Sequence, residues 1–395
     1  MVQRFVGRKH VASVILAVAV LAMVSACASK ASSMGNSTAS STGSSTASST
    51  GSSGAGDPAA VSAAQKALAA FVNPSDLVWP KPITAFTTGH HKLAILIPGP
   101  AGASVTQGNA AKAAAEAMGW QATIFDGNFD PSKQAGYIQQ AVQSGYDAIF
   151  ISVVDPNSMR SAIQYAESRG VPIACASCVD GSHVPNDGIM YVTNSMTDSG
   201  TAIADYMIAH SNGSPSIQAF TDLAFPPVIA RINAIGAQVK AVCPKCTYDL
   251  NDFPTSDVGK PGPPTWTAFL ASHPTGVDWV ATGYESMAVP FAQTLTQQGR
   301  TDIKITSFDN TLPDSNQLIA SGNSAYQATA AFPYTYEAWA GVDLLARAVN
   351  HQPTWDATKL PFLIVDKDNV GYFTGKPDLI PATFDYKSMF EALWR

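Results

Sequence analysis

Short, continuous runs of apolar residues alternate with longer amphipathic segments from about residue 90 onward. An apolar run of this length predicts a buried strand, whereas apolar positions that recur every three to four residues predict a helix. The predicted strands are Lys92–Ile97, Ala122–Phe125, Ala148–Ser152, Val171–Cys175, Ser216–Thr221, Thr247–Leu250, Trp279–Thr282 and Lys304–Phe308.

Helices are predicted in the intervals, so the chain repeats a strand–helix unit. Buried strands joined by helices indicate parallel sheets that are covered on both faces. The rhythm restarts after about residue 210, which predicts two similar α/β lobes with Rossmann-like sheets. The predicted helices cover residues 110–118, 132–144, 158–168, 226–241, 263–272 and 285–298.

The first residues have the composition of an export signal. A basic stretch at residues 4–10 precedes the apolar run Val11–Val24, which is too short to span a bilayer comfortably. The run ends in Val24-Ser25-Ala26-Cys27, which resembles the bacterial lipobox, where the cysteine is acylated and starts the mature chain. We therefore expect a signal peptide over residues 1–26 and lipidation of Cys27. The alternative is an ordinary signal that is cut after Ala26, with Cys27 incidental.

Residues 27–56 are predicted to be a disordered tether. They are almost all Ser, Thr, Gly and Ala, and STASSTGS occurs at 37–44 and again at 45–52; such a composition has little to bury. Residues 57–89 follow, with a short helix that starts at Asp57-Pro58 and then a Pro-rich segment that wraps a lobe. The expected location is extracytoplasmic, with the lipid in the outer face of the cell membrane.

The charge of the chain argues against a nucleic-acid partner. The formal net charge is −6 and becomes −9 without residues 1–26, which contain three basic and no acidic residues. An acidic chain without basic clusters does not suit a phosphate backbone. No later stretch has 18 consecutive apolar residues, so we expect contact with the membrane only through the lipid anchor.

Four further cysteines form two CxxC pairs, Cys175 with Cys178 and Cys243 with Cys246. Two such pairs in a zinc site are usually about 15–20 residues apart, which is much closer than these pairs are. An exported chain with an even number of cysteines favours disulfides, so we predict two local disulfides and no metal. Alternatives are a zinc ion shared between the pairs and a thioredoxin-type redox centre at Cys243, although nothing around it indicates that fold.

Several segments occur in the order and spacing of a known family. Over roughly residues 90–350 the chain resembles the type I periplasmic binding proteins, the ribose-binding-like group. The segments that carry the resemblance are Asp130-Pro131 with Lys133-Gln134, Gly145-Tyr-Asp-Ala-Ile149, Asp155, Gly170-Val-Pro-Ile173, Ser307-Phe-Asp-Asn310 and Ala331-Phe-Pro-Tyr-Thr-Tyr336.

The resemblance implies two lobes joined by a hinge in which the chain crosses three times. We place the crossings near residues 195, 309 and 332. The N-terminal lobe is then 90–195 plus 310–331, and the C-terminal lobe is 196–309 plus 332–366. The C-terminal tail 367–395 is aromatic enough to dock on the body, but the sequence assigns it no role. In this family a ligand lies between the carboxyl ends of the two sheets, and the hinge closes around it.

The family's ligand-binding positions fall on unusual residues here, with Asp309 alone retaining the family's residue. The family's arginine position falls on Asn233, with Arg231 nearby as an alternative. The other candidate ligand-binding residues are Ser104, Ser152, Ser177, Tyr284, Glu285 and Phe332.

A sugar pocket needs carboxylate acceptors, guanidinium or amide donors and flat apolar faces. Asp309, Glu285 and Arg231 are candidates for the acceptors and the donor, and Tyr284 and Phe332 for the faces. Each also has a purely structural interpretation: a cap for Asp309, a helix charge for Glu285, a solvated or paired helix arginine for Arg231, and core packing for the aromatic residues.

The resemblance implies a non-enzymatic, monomeric solute-binding lipoprotein that delivers a small sugar or polyol to an ABC permease and its ATPase, without a cofactor. One alternative is a sensory lipoprotein that presents its ligand to a receptor, and another is an importer component for a non-sugar solute such as an aromatic one. The chain lacks the HExxH, P-loop and GxSxG motifs of common enzymes. A repressor of the same fold would carry a helix-turn-helix where the lipobox and tether stand.

Overall fold

The computed structural model of the chain describes residues 56–322, 324–373, 379–380 and 384–394. The predicted signal peptide, the lipidated Cys27 and nearly all of the tether lie outside this part. Among the described helices, none combines the length and the apolarity that crossing a bilayer requires.

The described residues form strands and helices in the alternation that the sequence predicts. The strands are β1 (Lys92–Ile97), β2 (Gln121–Asp126), β3 (Ala148–Ser152), β4 (Ile173–Ala176), β5 (Met190–Asn194), β6 (Ser216–Thr221), β7 (Thr247–Asp252), β8 (Trp279–Thr282), β9 (Lys304–Asp309), β10 (Tyr326–Ala331), β11 (Ala357–Leu360) and β12 (Leu363–Asp366). The α-helices are α1 (Pro58–Leu68), α2 (Gly102–Ala117), α3 (Pro131–Gln143), α4 (Arg160–Ser168), α5 (Met196–Ala209), α6 (Pro226–Val242), α7 (Pro264–Ser272), α8 (Glu285–Gln297), α9 (Pro313–Ser321), α10 (Tyr334–Val349) and α11 (Tyr386–Glu391).

The strands form two separate six-stranded sheets. The first has the order β11-β5-β4-β3-β1-β2 and the second β12-β10-β9-β8-β6-β7. All neighbours are parallel except β10 and β12, which are antiparallel. The inner strands are buried along almost their whole length, as in β3, whereas the edge strand β2 alternates between exposed and half-buried residues. The two parallel α/β lobes expected from the sequence are therefore present.

Helix α3 shows how local sequence fixes the ends of these elements. Pro131 occupies its first turn, where no backbone N–H is needed. The side chain of Asp130 accepts hydrogen bonds from the backbone N–H groups of Ser132 and Lys133 and so caps the helix. The DPSK sequence therefore ends the loop after β2 at a defined residue, and this loop borders the cleft between the lobes.

The chain passes between the sheets three times; two of these crossings lie near the predicted residues 195 and 332, whereas the third lies near residue 361 and not near 309. It leaves the first sheet after β5, near residue 195, returns after β10, and leaves again between β11 and β12. The assignment of 310–331 to the N-terminal lobe is wrong, because α9 returns the chain to the second sheet, where β10 pairs with β9 in parallel. The assignment of 332–360 to the C-terminal lobe is also wrong. Helix α10 packs in the N-terminal core, and β11 pairs with β5.

Both ends of the described chain also join the two lobes. Helix α1 buries Ala60, Ala64 and Leu68 in the C-terminal lobe, whereas the Pro-rich segment after it reaches the N-terminal lobe, where Trp79 packs against Tyr336. In the described parts of the C-terminal tail, Phe373 packs in the C-terminal lobe and α11 packs against α10 in the N-terminal lobe. The lobes are thus linked by two segments besides the three crossings.

The four cysteines form two local disulfides, Cys175–Cys178 and Cys243–Cys246. The first lies at the carboxyl end of β4, and the second closes the turn between α6 and β7. Within the described residues, no group of three or more His, Cys, Asp and Glu side chains is arranged to hold a metal ion.

Candidate functional site

A cavity of about 70 Å³ lies between the lobes, at the carboxyl ends of both sheets. This position is where ligands bind in open α/β sheets, since loops and helix N-termini meet there. The volume exceeds the roughly 10–15 Å³ that one water molecule requires. The lining residues are Pro98, Ala101, Gly102, Ala103, Ser104, Phe129, Val153, Ser177, Met196, Phe225, Pro227, Val228, Arg231, Val258, Tyr284, Ser286, Asp309 and Tyr334.

Unusual backbone conformations cluster around this cavity. Seven non-glycine residues in the described part have positive φ, and six of them follow or end strands at the cleft. These six are Asn128, Phe129, Val153, Ser177, Asp309 and Asn310; the seventh, His351, follows α10. Left-handed conformations of such residues are disfavoured and collect at binding sites, where the side-chain position outweighs the strain. The backbone thus indicates the same site as the cavity.

The polar centre of the cavity is a buried ion pair. Arg231, on α6, donates from Nη1 to Oδ1 of Asp309, at the end of β9, over 2.9 Å. The hydroxyl of Tyr334 donates to the same oxygen over 2.7 Å. Burial raises the pKa of Tyr334 well above its usual range, so this hydroxyl stays protonated and remains a donor. The guanidinium also lies 4.7 Å from the ring centroid of Phe308.

The ion pair has acceptor and donor atoms that form no hydrogen bond with the described residues. No described residue donates to Asp309 Oδ2, and the buried Nε of Arg231 has no acceptor. Of the five N–H groups of a guanidinium, one on Nη1 has a hydrogen-bond partner among the described residues. The pair therefore presents an acceptor and donors side by side. Arg231 and Asp309 both lie in the cavity wall, and the sequence predicts both as ligand-binding residues.

Tyr284 lines the cavity as predicted, but its hydroxyl is already bonded. It donates to Oδ2 of Asp222 over 2.9 Å, and Asp222 also accepts from the N–H of Ala224 and the hydroxyl of Thr255. Burial raises the pKa of Asp222 above its usual value despite these hydrogen bonds. The ring of Tyr284 packs edge-on against Phe225, also in the cavity wall. Tyr284 thus offers an aromatic surface rather than a free hydroxyl.

Glu285 does not line the cavity, which corrects its assignment as a ligand-facing residue. It is fully buried, and its Oε1 accepts from the N–H groups of Thr311 and Leu312 at 2.6 and 2.9 Å and from the Thr311 hydroxyl. Its Oε2 accepts from Ser315 Oγ at 2.7 Å. Glu285 therefore holds the loop that follows Asp309. Burial, followed by the negative charge of Asp309, raises the pKa of Glu285 to about 7.

The three predicted serines differ in their positions. Ser104 and Ser177 line the cavity, but Ser152 is fully buried behind it and donates to Gln107 Oε1 at 2.6 Å. Ser104 Oγ donates to the carbonyl groups of Gly99 and Ala101. Ser177 Oγ donates to Glu337, a buried carboxylate on α10. Ser152 is thus a support for the cavity wall and not part of its surface.

Asn233 and Phe332 are not among the residues that line the cavity, although the Arg231 guanidinium lies 5.8 Å from the ring centroid of Phe332. Residues two positions apart on a helix are about 200° apart around its axis, so Arg231 and Asn233 cannot face the same side. Arg231 faces the cavity and Asn233 faces solvent. Phe332 is fully buried and packs against Phe308 and Phe362 in the core of the C-terminal lobe.

Several residues of the site were not expected from the sequence. Phe129, Val153 and Phe225 follow strands β2, β3 and β6, but no pattern distinguishes them from other loop residues. Tyr334 lies in the segment that carries the family resemblance, and this was the available signal for it. The buried carboxylate of Glu337, which accepts from Gln107, Ser177 and Asn194, had no signal in a helix of mixed composition.

Comparison with known proteins supports the resemblance to periplasmic binding proteins that the sequence shows. Residues 96–353 match the family model described as a periplasmic binding protein domain. No curated protein matches the chain in sequence.

Many solved structures share this fold. A sugar ABC transporter protein from Yersinia enterocolitica subsp. enterocolitica 8081 is 18% identical, with a TM-score of 0.67 over 80% of this chain and 98% of that one. An ABC transporter solute-binding protein from Bacillus halodurans C-125 with bound myo-inositol is 18% identical, with a TM-score of 0.65 over 73% of this chain and 99% of that one. An ABC transporter solute-binding protein from Agrobacterium vitis with bound allitol is 18% identical, with a TM-score of 0.64 over 73% of this chain and 100% of that one.

Proposed function

We propose, because this chain belongs to the family of periplasmic binding protein domains, that it captures a small sugar or polyol and delivers it to an ABC importer. The family and fold are those of extracytoplasmic solute-binding proteins. In this proposal the protein is a monomer that catalyses no reaction, requires no cofactor and binds no nucleic acid. The hydroxylated ligands of the Bacillus and Agrobacterium proteins support this class of ligand.

The buried pair of Arg231 and Asp309 is the observation that carries the proposal. A hydroxyl group both donates and accepts, so two neighbouring hydroxyls can donate to one group and accept from another. Asp309 Oδ2 and the unpaired guanidinium donors of Arg231 offer such a combination in the cavity. Hydrogen bonds to charged groups are about twice as strong as neutral ones, which suits the capture of a neutral polar solute.

Hinge closure is supported by the contact between the lobes at the mouth of the cavity. The N-termini of α2 and α8 face each other there, and a Cβ on Gly102 would lie only 3.0 Å from Ser286 Oγ. Helix N-termini carry backbone N–H groups without intrahelical partners, so both lobes bring donors to the site. A ligand held between them would make contacts with both lobes only after the hinge closes.

The thermal stability of the purified protein tests ligand binding. Cys27→Ser prevents acylation, and this variant is heated with millimolar pentoses, hexoses, polyols or aromatic acids. A ligand at 100 times its Kd adds about 2.7 kcal/mol to the free energy of unfolding, and so raises the Tm by several degrees. We expect at least one sugar or polyol to produce this rise. A rise with aromatic acids alone would replace the sugar by a non-sugar solute, and no rise in the whole panel would refute the proposal.

Anchoring and transport are tested in cells. We propose acylation of Cys27 and attachment to the outer face of the membrane, since the lipobox-like sequence and the tether precede the folded lobes. Metabolic labelling with an alkyne fatty acid should mark the wild-type chain and not Cys27→Ser. Cells without the protein should lose uptake of the identified ligand. Unchanged uptake, with loss of a response to the ligand, would indicate the receptor-linked alternative.

A further inference from the structure

The two lobes contribute different chemistry to the cavity. The C-terminal lobe and the hinge supply the charged groups and two hydroxyls, namely Arg231, Asp309, Tyr334 and Ser286. The N-terminal lobe supplies mainly apolar surface, from Pro98, Ala101, Ala103, Phe129 and Val153. The C-terminal lobe also contributes the apolar Phe225, Pro227, Val228 and Val258, so a ligand meets the ion pair on one side only, whereas the surface around Phe129 and Val153 is mainly hydrocarbon.

The hydroxyl groups on the N-terminal side already donate to the protein. Ser104 Oγ donates to the carbonyl oxygens of Gly99 and Ala101, at 2.9 and 2.6 Å. Ser177 Oγ donates to Glu337 at 2.5 Å, and Gln107 donates to the same oxygen. These hydrogen bonds direct the hydroxyl protons of Ser104 and Ser177 into the protein and not into the cavity.

Two apolar side chains are placed in the cavity by disfavoured backbone conformations. Val153 has a φ of 52°, although β-branched residues are poorly tolerated in the left-handed region. Phe129 has a φ of 55°, and its ring rests directly on Gly99, where a Cβ would lie 2.4 Å from the ring. Asn or Gly would fit both backbones with less strain. The structure thus maintains hydrocarbon at these positions against local conformational preference.

We propose that the ligand carries an apolar end, such as a methyl group in place of a terminal hydroxymethyl, directed at Phe129 and Val153. This inference rests on the proposed sugar or polyol binding, with the ligand hydroxyls on Arg231 and Asp309. A hydroxyl next to Phe129 and Val153 would lose its water and gain no partner, which is unfavourable. A methyl group there would make favourable contacts with the aromatic ring and the valine.

Matched pairs of sugars test the proposal. The purified full-length Cys27→Ser protein is titrated calorimetrically with D-ribose and 5-deoxy-D-ribose, L-galactose and L-fucose, and L-mannose and L-rhamnose. The members of each pair differ in whether the terminal carbon carries a hydroxyl, and the loss of this hydroxyl also confines 5-deoxy-D-ribose to the furanose ring. We expect the deoxy sugar of the best-binding pair to bind about tenfold more tightly or better, the range for one group in an apolar pocket.

Val153→Asn tests whether the apolar cavity wall causes the preference for the deoxy sugar. Asn tolerates the left-handed conformation and offers a polar side chain, so this variant should fold at least as well and lose most of the preference for the deoxy sugar. His351→Asn is the matched control, because His351 also has a positive φ, of 54°, but lies outside the cavity. It should retain the preference.

The possible results separate this inference from the proposed function. Equal or tighter binding of the hydroxylated sugar would overturn the apolar end and leave the proposed function intact. A deoxy preference that is unchanged in Val153→Asn and in Phe129→Ser would overturn the placement of that end. Failure of every pentose, hexose and polyol, including the three pairs, to bind would overturn the proposed function, and this inference with it.

Discussion

Arg231 and Asp309 form an ion pair 2.9 Å apart in which both side chains are almost completely buried. The two residues come from α6 and β9, and Tyr334, at the start of α10, donates to the same carboxylate oxygen. Asp309 therefore has two functions in the proposed mechanism. It neutralises the guanidinium in a site with little water, and its free oxygen faces the position of the ligand.

Removing Asp309 should destabilise the protein as well as abolish binding. Asp309→Ala leaves the buried charge of Arg231 without a partner, for which we expect a loss of about 3–5 kcal/mol in the free energy of unfolding. Urea denaturation measures this loss, and Arg231→Met in the same chain should recover part of it. Asp302→Ala, which breaks the more exposed pair with Arg300, serves as control and should lose at most about 1 kcal/mol. Equal losses in the two single variants would contradict the importance of burial.

Glu285 should make the stability of the protein depend on pH. Its pKa is about 7 in the folded protein, against an ordinary value of 4.5, because of burial and the charge of Asp309. The folded state therefore retains this proton over a pH range where the unfolded chain loses it. The resulting stabilisation is complete below about pH 4.5 and is lost as the pH rises through 7, by about 3 kcal/mol in total.

Glu285→Gln isolates that contribution. The amide has the same shape and no charge, so the difference in free energy of unfolding between variant and wild type should shift in favour of the variant between pH 5 and 8. Urea denaturation at several pH values gives this difference. Carboxylates that do not interact with Glu285 contribute equally in both proteins and cancel. Parallel pH profiles would show that Glu285 stays ionised in the folded protein.

Cysteines at Gly102 and Ser286 should lock the cleft. A Cβ on Gly102 would lie 3.0 Å from Ser286 Oγ, which is close enough for a disulfide between the two helix N-termini. Gly102 has a φ of 52°, so the substitution costs roughly 1–2 kcal/mol in stability. The oxidised Gly102→Cys/Ser286→Cys protein should neither bind nor release ligand in equilibrium dialysis. Ser286→Cys alone should exchange ligand normally, and free exchange in the oxidised double variant would argue against hinge closure.

Gly99→Ala should disturb the cavity wall through Phe129. The added methyl group would lie 2.4 Å from the ring, so the aromatic side chain must move. We expect the affinity for ligand, measured by calorimetry, to fall about tenfold or more. Gly136→Ala is the control, because nothing lies within 4 Å of its Cβ position on α3. It should leave affinity unchanged and stabilise the helix by about 0.5–1 kcal/mol.

Trp394 should anchor the C-terminal tail to the N-terminal lobe. Its Nε1 donates to Oδ1 of the fully buried Asp343 at 2.8 Å, and its ring stacks on Trp339. Trp394→Phe removes a hydrogen bond to a charged group, for which we expect a loss of about 1.5–3 kcal/mol in the free energy of unfolding. Trp120→Phe makes the same change where the buried Nε1 has no partner, and should lose less. A larger loss at Trp120 would contradict the anchoring.

The candidate site could be predicted only in part, because local pattern does not reveal which way a side chain faces. Asp309 and Arg231 were expected and line the cavity, whereas Asn233 is on the opposite side of α6. Glu285 follows a strand as a ligand-binding carboxylate would, but its acceptors are used by the loop at Thr311. Both outcomes depend on contacts with distant parts of the chain.

The sequence by itself determined the local elements: continuous apolar runs define buried parallel strands, Asp-Pro pairs define helix starts, and cysteines three residues apart define local disulfides. Only the tertiary structure decided which sheet each strand joins, as for β10, and which residues meet in the cleft. The physical reason is that burial of one face imposes a hydrophobic periodicity on neighbouring residues, whereas the pairing of distant strands and side chains imposes no such local pattern. Arg231 and Asp309 are 78 positions apart, and no local property of either specifies the other as its partner.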